Sequence, residues 1–340
     1  MPAGALDEYC DIGQQFDLHE PTDEAGELAG AGDFVFGDAI GEGACVVVCK
    51  AQHPSYGSCA VKIVSKDRAK GVTEYGEVIR ELRVWAHLRP HPNIAALHDA
   101  LHGRHYIYLA MQFAGRLNLA EFVSAKISKH AQGVLAAGYV TLISQQQVSA
   151  VSHLHGMLIC HRNLEPTNWV VSDSGRTIRL VDFGCATQIC SAEQILSFCC
   201  GTLPFCAPEV FRCRRTGDTA PPPDAGYKGP PADIWSLGCC FGELLLGRRG
   251  VERLLGWRQQ RPSDASDTLK GLCGIPRLLS ESLCDGRPIT VPKLVRLIGR
   301  MATLDPEQRW SITRIIRDGL PLDDDDGRGD FEPPASGSFP

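Results

Sequence analysis

Two short polar segments constrain what this chain can fold into more than any other feature: His161-Arg162-Asn163-Leu164-Glu165-Pro166-Thr167-Asn168, and Asp182-Phe183-Gly184 shortly after it. A helical apolar period, with Leu142, Val148, Val151 and Leu154 on one face of the stretch from Tyr139 to His155, leads into the first. Asn163 sets a limit on the chemistry. A carboxamide has nearly the shape of a carboxylate and accepts a hydrogen bond, but it does not take up a proton at neutral pH. The chain can enclose such groups: 340 residues, 44% hydrophobic and 22% charged, are ordinary globular proportions that bury a sizeable core.

Other segments extend the pattern. Strand-like runs Phe34-Val35-Phe36 and Val46-Val47-Val48-Cys49 flank the turn Gly41-Glu42-Gly43, whose backbone N–H groups, bare of side chains, suit phosphate oxygens. In Cys59-Ala60-Val61-Lys62-Ile63 the lysine sits in an apolar run, where an unpaired ammonium is costly and an anionic partner is required. The helical segment Val72 to Leu88 supplies Glu81. Tyr106 to Met111 reads as a strand running into Gln112-Phe113-Ala114-Gly115. Farther on come Gly201-Thr202-Leu203-Pro204-Phe205-Cys206-Ala207-Pro208-Glu209, Ala232-Asp233-Ile234-Trp235-Ser236-Leu237-Gly238 and Leu304-Asp305-Pro306-Glu307-Gln308-Arg309.

In this order the segments resemble the eukaryotic protein kinases of the Ser/Thr type, whose catalytic loop reads H-R-D-L-x-x-x-N and whose metal-binding motif is D-F-G. The resemblance covers about residues 34 to 317. It implies an α+β, bilobal fold with a small β-rich N-lobe and a larger helical C-lobe, and ATP and Mg²⁺ as cofactors. Lys62, paired with Glu81, would hold the α- and β-phosphates, and Asn168 and Asp182 would hold the metal. Ile40, Gly41, Gly43 and Val48 would cover the nucleotide. Ala60 and Val170 would plate the adenine, Met111 would be the gatekeeper, and Gln112 and Ala114 would bond the base through their backbone. His161, Phe183, Glu209, Asp233 and Arg309 carry structural roles, with Asp233 bracing the catalytic-loop backbone and Arg309 paired with Glu209. Ser197 lies near the usual activation phosphosite, within the range of Arg162.

The chain departs from the family at two catalytic positions. Asn163 stands where the base Asp belongs, and Glu165 stands where Ser/Thr kinases carry a phosphate-contacting Lys. Loss of a general base costs about 10² to 10⁴ in rate. A carboxylate about 4 Å from a phosphate costs about 4 kcal/mol at an effective dielectric near 20. The pattern is that of an ATP-binding pseudokinase or severely weakened kinase that docks to a protein substrate or a partner kinase. The alternatives are an active Ser/Thr kinase transferring the γ-phosphate to protein hydroxyls, with Glu165 or a water replacing the base, and a scaffold that binds no nucleotide. Whether the chain is an enzyme is open at this level. Thr167, Arg116 and Asn118 argue against a preference for Arg-rich sites.

The expected organisation is an extension over 1–32, a kinase-like domain over 33–318 divided at 113/114, and an acidic tail over 319–340. A net charge of −6 offers no footprint for nucleic acid. No apolar run approaches membrane-spanning length and no apolar leader opens the chain, so a cytoplasmic, or alternatively nuclear, protein without membrane attachment is expected. The fifteen Cys lack Cys-x-x-Cys spacing and read as buried free thiols. Residues 212 to 231 read as a loop insertion. Asp323 to Asp326 fails the EF-hand pattern at both ends.

Overall fold

A computed structural model of the chain describes residues 20–22, 28–68, 72–127, 135–214, 225–284 and 292–319. The acidic tail, the EF-hand-like run and most of the Ala- and Gly-rich stretch between Ala125 and Ala137 lie outside these residues. The chain divides into two compact units, Met1–Arg116 with Val181–Ala186, and Leu117–Leu180 with Thr187–Pro340.

The first unit is built on strands β1 (Gly30–Ala31), β2 (Phe34–Glu42), β3 (Val46–His53), β4 (Gly57–Ser65), β5 (Leu97–His102) and β6 (Tyr106–Gln112), with helix α1 (Val72–His87) between β4 and β5. They form one antiparallel sheet in the order β1-β2-β3-β4-β6-β5. The stretch expected as an extension thus contributes an edge strand, and Glu20 accepts a hydrogen bond from the Tyr108 hydroxyl.

Alternation along the strands sorts the side chains onto two faces. Cys59, Val61, Ile63, Tyr108 and Ala110 close one face with Ala31, Phe34 and Ala51. On the other face Val64, Ile107 and Leu109 meet Val78 and Leu82 of α1. Lys62 pairs across the ladder with Val48 and Leu109, so it shares the α1 face. This parity delivers the lysine to the helix that carries Glu81.

The second unit opens with β7 (Leu117–Asn118), α2 (Leu119–Ile127) and α3 (Ala137–Gly156). Val140, Ile143, Gln147, Val148, Val151 and Leu154 are buried on α3 at helical spacing. Short antiparallel ribbons follow: β8 (Ile159–Cys160) with β11 (Thr187–Gln188), β9 (Trp169–Val171) with β10 (Ile178–Leu180) and β7, and β12 (Ile195–Leu196) with β13 (Tyr227–Lys228). The remaining helices are α4 (Pro208–Arg212), α5 (Gly229–Leu246), α6 (Gly250–Leu254), α7 (Ala265–Cys284), α8 (Pro292–Met301) and α9 (Ile312–Arg314). Helix α5 is buried nearly all round. Its Gly238 lies so close to α8 that a Cβ there would stand 3.0 Å from the Met301 Cβ.

Two expectations need correction. The loop expected over 212–231 ends earlier: Arg212 closes α4, Tyr227–Lys228 is a strand, and α5 begins at Gly229. Pro230 and Pro231 sit in the first helical turn, where the backbone N–H has no intrahelical acceptor and a proline ring is tolerated. Residues 215–224 of that stretch lie outside the described residues. Among the described residues thirteen cysteines are free, but not uniformly buried: Cys59, Cys160, Cys206, Cys213, Cys239 and Cys240 are, whereas Cys45, Cys49, Cys185, Cys199, Cys200 and Cys273 are partly covered and Cys190 is exposed. Of the less buried ones, Cys49 lies on β3 and Cys273 on α7, elements with one side toward water, unlike α5. Among the described residues no helix is long and apolar enough to cross a membrane.

Candidate functional site

In the first unit, Lys62 Nζ lies 3.0 and 2.8 Å from the two Glu81 carboxylate oxygens and 3.1 Å from Asp182 Oδ1. Burial by itself would push this ammonium down. The Glu81 and Asp182 carboxylates outweigh it and hold Lys62 above the usual lysine range, so the cation persists. Burial pushes the Glu81 carboxyl up, and Lys62 pulls it back. Glu81 also accepts from the Phe183 backbone N–H at 3.3 Å, tying helix α1 to the Asp182-Phe183-Gly184 turn. Asp182 adopts a left-handed φ of 62°, sparsely populated for a residue with a Cβ.

Trp85 lies one turn beyond Glu81 on α1. It is buried at 3% exposure, donates Nε1–H to the Ala95 carbonyl at 2.8 Å and packs on Phe183 with ring centroids 5.3 Å apart. It braces the helix with Glu81 directed at Lys62.

Strand register gathers a platform beside this cluster. Gly41 pairs with Val48, Val48 with Lys62, and Ala60 with Met111, so Val48, Ala60, Lys62 and Met111 project from one face. Gln112 closes β6 with its N–H on the Ala96 carbonyl at 2.8 Å, and Ala114 is buried just beyond. Ile40 lies in β2 beside a shift in register between Ala39 and Gly41, and the hairpin is closed by Gly43 N–H on the Val46 carbonyl at 2.7 Å. Neither glycine is demanded by packing: an added Cβ at Gly41 or Gly43 would meet its nearest atom at 3.7 and 3.8 Å, ordinary contact distances. The bare backbone is therefore available to a ligand.

In the second unit, Asp233 is fully buried and accepts from the backbone N–H of His161 at 2.9 Å and of Arg162 at 2.7 Å, with His155 Nε2 at 3.0 Å. These bonds hold Arg162 at a left-handed φ of 63°, a conformation that costs on the order of 1 kcal/mol or more. Asn168 donates Nδ2–H to the Asn163 carbonyl at 2.9 Å, which identifies Oδ1 as its acceptor end. Val170 lies in β9 opposite Asn118 and Arg179. His161 is fully buried.

The substituted positions meet at a hydroxyl. Thr202 Oγ1 stands 2.8 Å from Glu165 Oε1 and 3.0 Å from the Asn163 carboxamide. The hydroxyl is shared between two acceptors, the Glu165 carboxylate at the shorter distance and Asn163 Oδ1 at the longer. Gly201 makes the approach feasible: its φ is +99°, and a Cβ would stand 2.7 Å from the Arg162 carbonyl. Thr202 was not singled out from the sequence, because nothing within 39 residues of chain signals its partner.

Around this loop Arg162 Nη1 donates to the Tyr227 hydroxyl at 3.3 Å, and that hydroxyl donates to the Phe198 carbonyl at 2.9 Å. Ser197 is exposed directly after β12. Lys228 bridges Glu193 at 2.6 Å and Glu307 at 2.8 Å. Arg309 forms a two-pronged buried pair with Glu209, Nη2 to Oε2 being 2.9 Å, donates Nε–H to the Thr303 carbonyl at 2.7 Å and stacks over Trp235. Among the described residues no group of three or more His, Cys, Asp or Glu is placed to hold a metal ion by itself.

The protein kinase domain matches residues 34–319. The chain belongs to the protein kinase family. As a protein kinase family member it is 29% identical over 288 residues to CBL-interacting protein kinase 25 of Oryza sativa subsp. japonica, covering 83% of this chain and 50% of that protein. It is 31% identical over 289 residues to sperm motility kinase 2B of Mus musculus, again 83% of this chain and 50% of the relative. The chain thus spans about half the length of these curated relatives. The β-rich first unit and helical second unit are the two lobes of the kinase fold.

Proposed function

We propose that this chain is a Ser/Thr-kinase-like protein that binds ATP with Mg²⁺ and whose phosphotransfer is lost or severely weakened. One observation carries the reading: Lys62, Glu81 and Asp182 are assembled at hydrogen-bonding distances, while the base position is a carboxamide engaged with Thr202 and Glu165. The residues fit the cofactor. A retained cation flanked by carboxylates, beside a glycine hairpin that packing does not require, suits a triphosphate, and carboxylate and carboxamide oxygens suit a hard divalent ion.

In the first unit, Lys62 would hold phosphate oxygens, the Gly41 and Gly43 backbone would cover them, Asp182 would ligate Mg²⁺, and Val48, Ala60 and Met111 would pack against the base. In the second unit, Asn168 carries the other oxygen the family uses for the metal. When bound, Mg²⁺ neutralises charge on the phosphates. Asn163 can orient a hydroxyl but cannot accept its proton. The partner is a protein, either a substrate or another kinase.

Incubation of the full chain with γ-labelled ATP, Mg²⁺ and generic protein substrates, alongside a thermal-shift measurement, tests this. The expected result is stabilisation by ATP with Mg²⁺, absent in Lys62→Met, with little or no label transfer. Brisk turnover by the unaltered chain overturns it, and absence of any thermal shift points to a nucleotide-free scaffold. One feature favours residual activity: Glu165 already accepts a hydrogen bond from the Thr202 hydroxyl at 2.8 Å. If Glu165 replaces the base, Glu165→Gln removes whatever transfer remains.

A further inference from the structure

Helix α5 hands the chain to a surface crowded with one sign of charge. From Arg248 to Arg261 stand five arginines, Arg248, Arg249, Arg253, Arg258 and Arg261, and one acid, Glu252, in a protein whose net charge is −6. All five arginines are exposed, whereas Glu252 is buried. The segment is anchored from beneath: Val251 of α6 is fully buried, and the Trp257 ring is buried against Gly271 of α7, where no Cβ would fit.

The guanidinium groups are held rather than trailing in water. Arg249 donates Nε–H to Glu252 and Nη2–H to the Arg258 carbonyl at 3.2 Å. Arg261 donates to the other Glu252 oxygen and to the Leu203 carbonyl, the latter at 3.1 Å. Arg253 donates to the Leu246 carbonyl and, at 2.9 Å, to the Arg248 carbonyl. The Arg249 and Arg261 side chains are still 47% and 48% exposed, so N–H groups remain for further acceptors. The next acids along the chain, Asp264 and Asp267, are turned to local bonds with the Ser266 N–H and Lys270. Within the second unit the surface borders the catalytic loop at two points. Arg248 lines a small cavity with Leu119, Val123, Glu243 and Pro166, and Arg261 holds the carbonyl of Leu203, next to Thr202.

We propose that the Arg248–Arg261 surface docks a carboxylate-rich segment of the protein partner, an inference that rests on the proposed function only in taking the partner to be a protein. Glu252 shows the match in miniature, one carboxylate bridged by two guanidinium forks. Side chains already fixed by carbonyls and by Glu252 lose little freedom when a partner arrives. A short acidic segment meets the arginines alone, whereas a long polyanion such as nucleic acid also meets the field of a negatively charged chain. A segment spanning Arg248 and Arg261 would run beside Pro166 and Leu203, the neighbours of Glu165 and Thr202.

The test is fluorescence anisotropy of the full chain, without nucleotide, with a short labelled peptide carrying Glu on both sides of a single Ser. Arg248 and Arg258 enter the network through their backbone carbonyls, so their side chains can be exchanged without breaking it. The expected result is saturable binding that weakens with added salt and is lost when the peptide's Glu are replaced by Gln. Arg248→Glu with Arg258→Glu should weaken it by about tenfold or more, as two exposed attractions become repulsions. The same charge change in the first unit, Arg68→Glu with Arg104→Glu, should leave it in place. Equal binding by the parent and the Arg248/Arg258 variant, equal losses in both variants, or displacement of the peptide by single-stranded RNA at the same charge concentration overturns the proposal. A thermal shift of each sample with ATP and Mg²⁺ confirms that the variants are folded and reports separately on the nucleotide reading.

Discussion

Glu81 in the first unit and Glu243 in the second are almost equally hidden from water, 2% and 5% exposed, and they are satisfied in opposite ways. Glu81 has a counter-ion, with both its oxygens on the Lys62 ammonium. Glu243 accepts from the backbone N–H of Val251 at 2.8 Å, and burial pushes its carboxyl up to about 7. Burial raises the carboxyl of both, and what opposes it differs: an ammonium bonded to both oxygens at Glu81, and backbone N–H groups followed by the Arg253 guanidinium at Glu243. The same contrast separates the two candidate functional regions. The first unit keeps an ammonium and two carboxylates in one hydrogen-bonded cluster. At the second unit's loop, Asn163, Thr202 and Glu165 share a single formal charge. On the proposed reading, the first unit's charges serve to grip a polyphosphate, while the loop of the second unit carries at Asn163 a carboxamide that takes up no proton at neutral pH.

The sharpest way to break this contrast is to restore the missing acid. In Asn163→Asp, label transfer from ATP should rise by about 10² to 10⁴. An unchanged rate in a folded variant would mean that the loop does not limit the chemistry. Next in size, Glu81→Gln removes the main counter-ion of Lys62. Urea unfolding should show a loss of about 3 to 5 kcal/mol, nearer the lower figure because Asp182 remains.

Glu243 gives the opposite signature. Its folded value lies above its ordinary 4.5, so between pH 4.5 and about 7 the native chain holds a proton that the unfolded chain has released. Stability from this group is complete below that window, falls as pH rises through it and levels off above, a loss of about 3 kcal/mol in all. Glu243→Gln should abolish that slope and exceed the parent in stability at pH 8. Stability rising with pH over the same window would contradict the assignment. The smallest effect is expected from Thr202→Val, about 1 kcal/mol in thermal unfolding, with the loop carboxylate left to water.

Much of this was legible along the chain. A lysine within an apolar strand demanded an anion, and the resemblance of the segments around Gly41, Lys62, Asn168, Asp182 and Arg309 to protein-kinase motifs implied the fold, because those signals are local to short segments and survive without a partner in view. The prolines of α5 were read against the helix they begin, since a loop proline and a first-turn proline have the same neighbours in sequence.

What the sequence by itself determined was the inventory: a family fold, the groups available at each position, and the carboxamide at the base position. Tertiary structure alone decided who meets whom. Glu81 of α1 is paired with Lys62, because strand parity places the lysine on the helix-packed face. Thr202 finds Asn163 across 39 residues of chain and Glu165 across 37. Such encounters are set by the folding of whole elements against one another. Side-chain hydrogen bonds extend about 3 Å, and no pattern along the chain measures that distance.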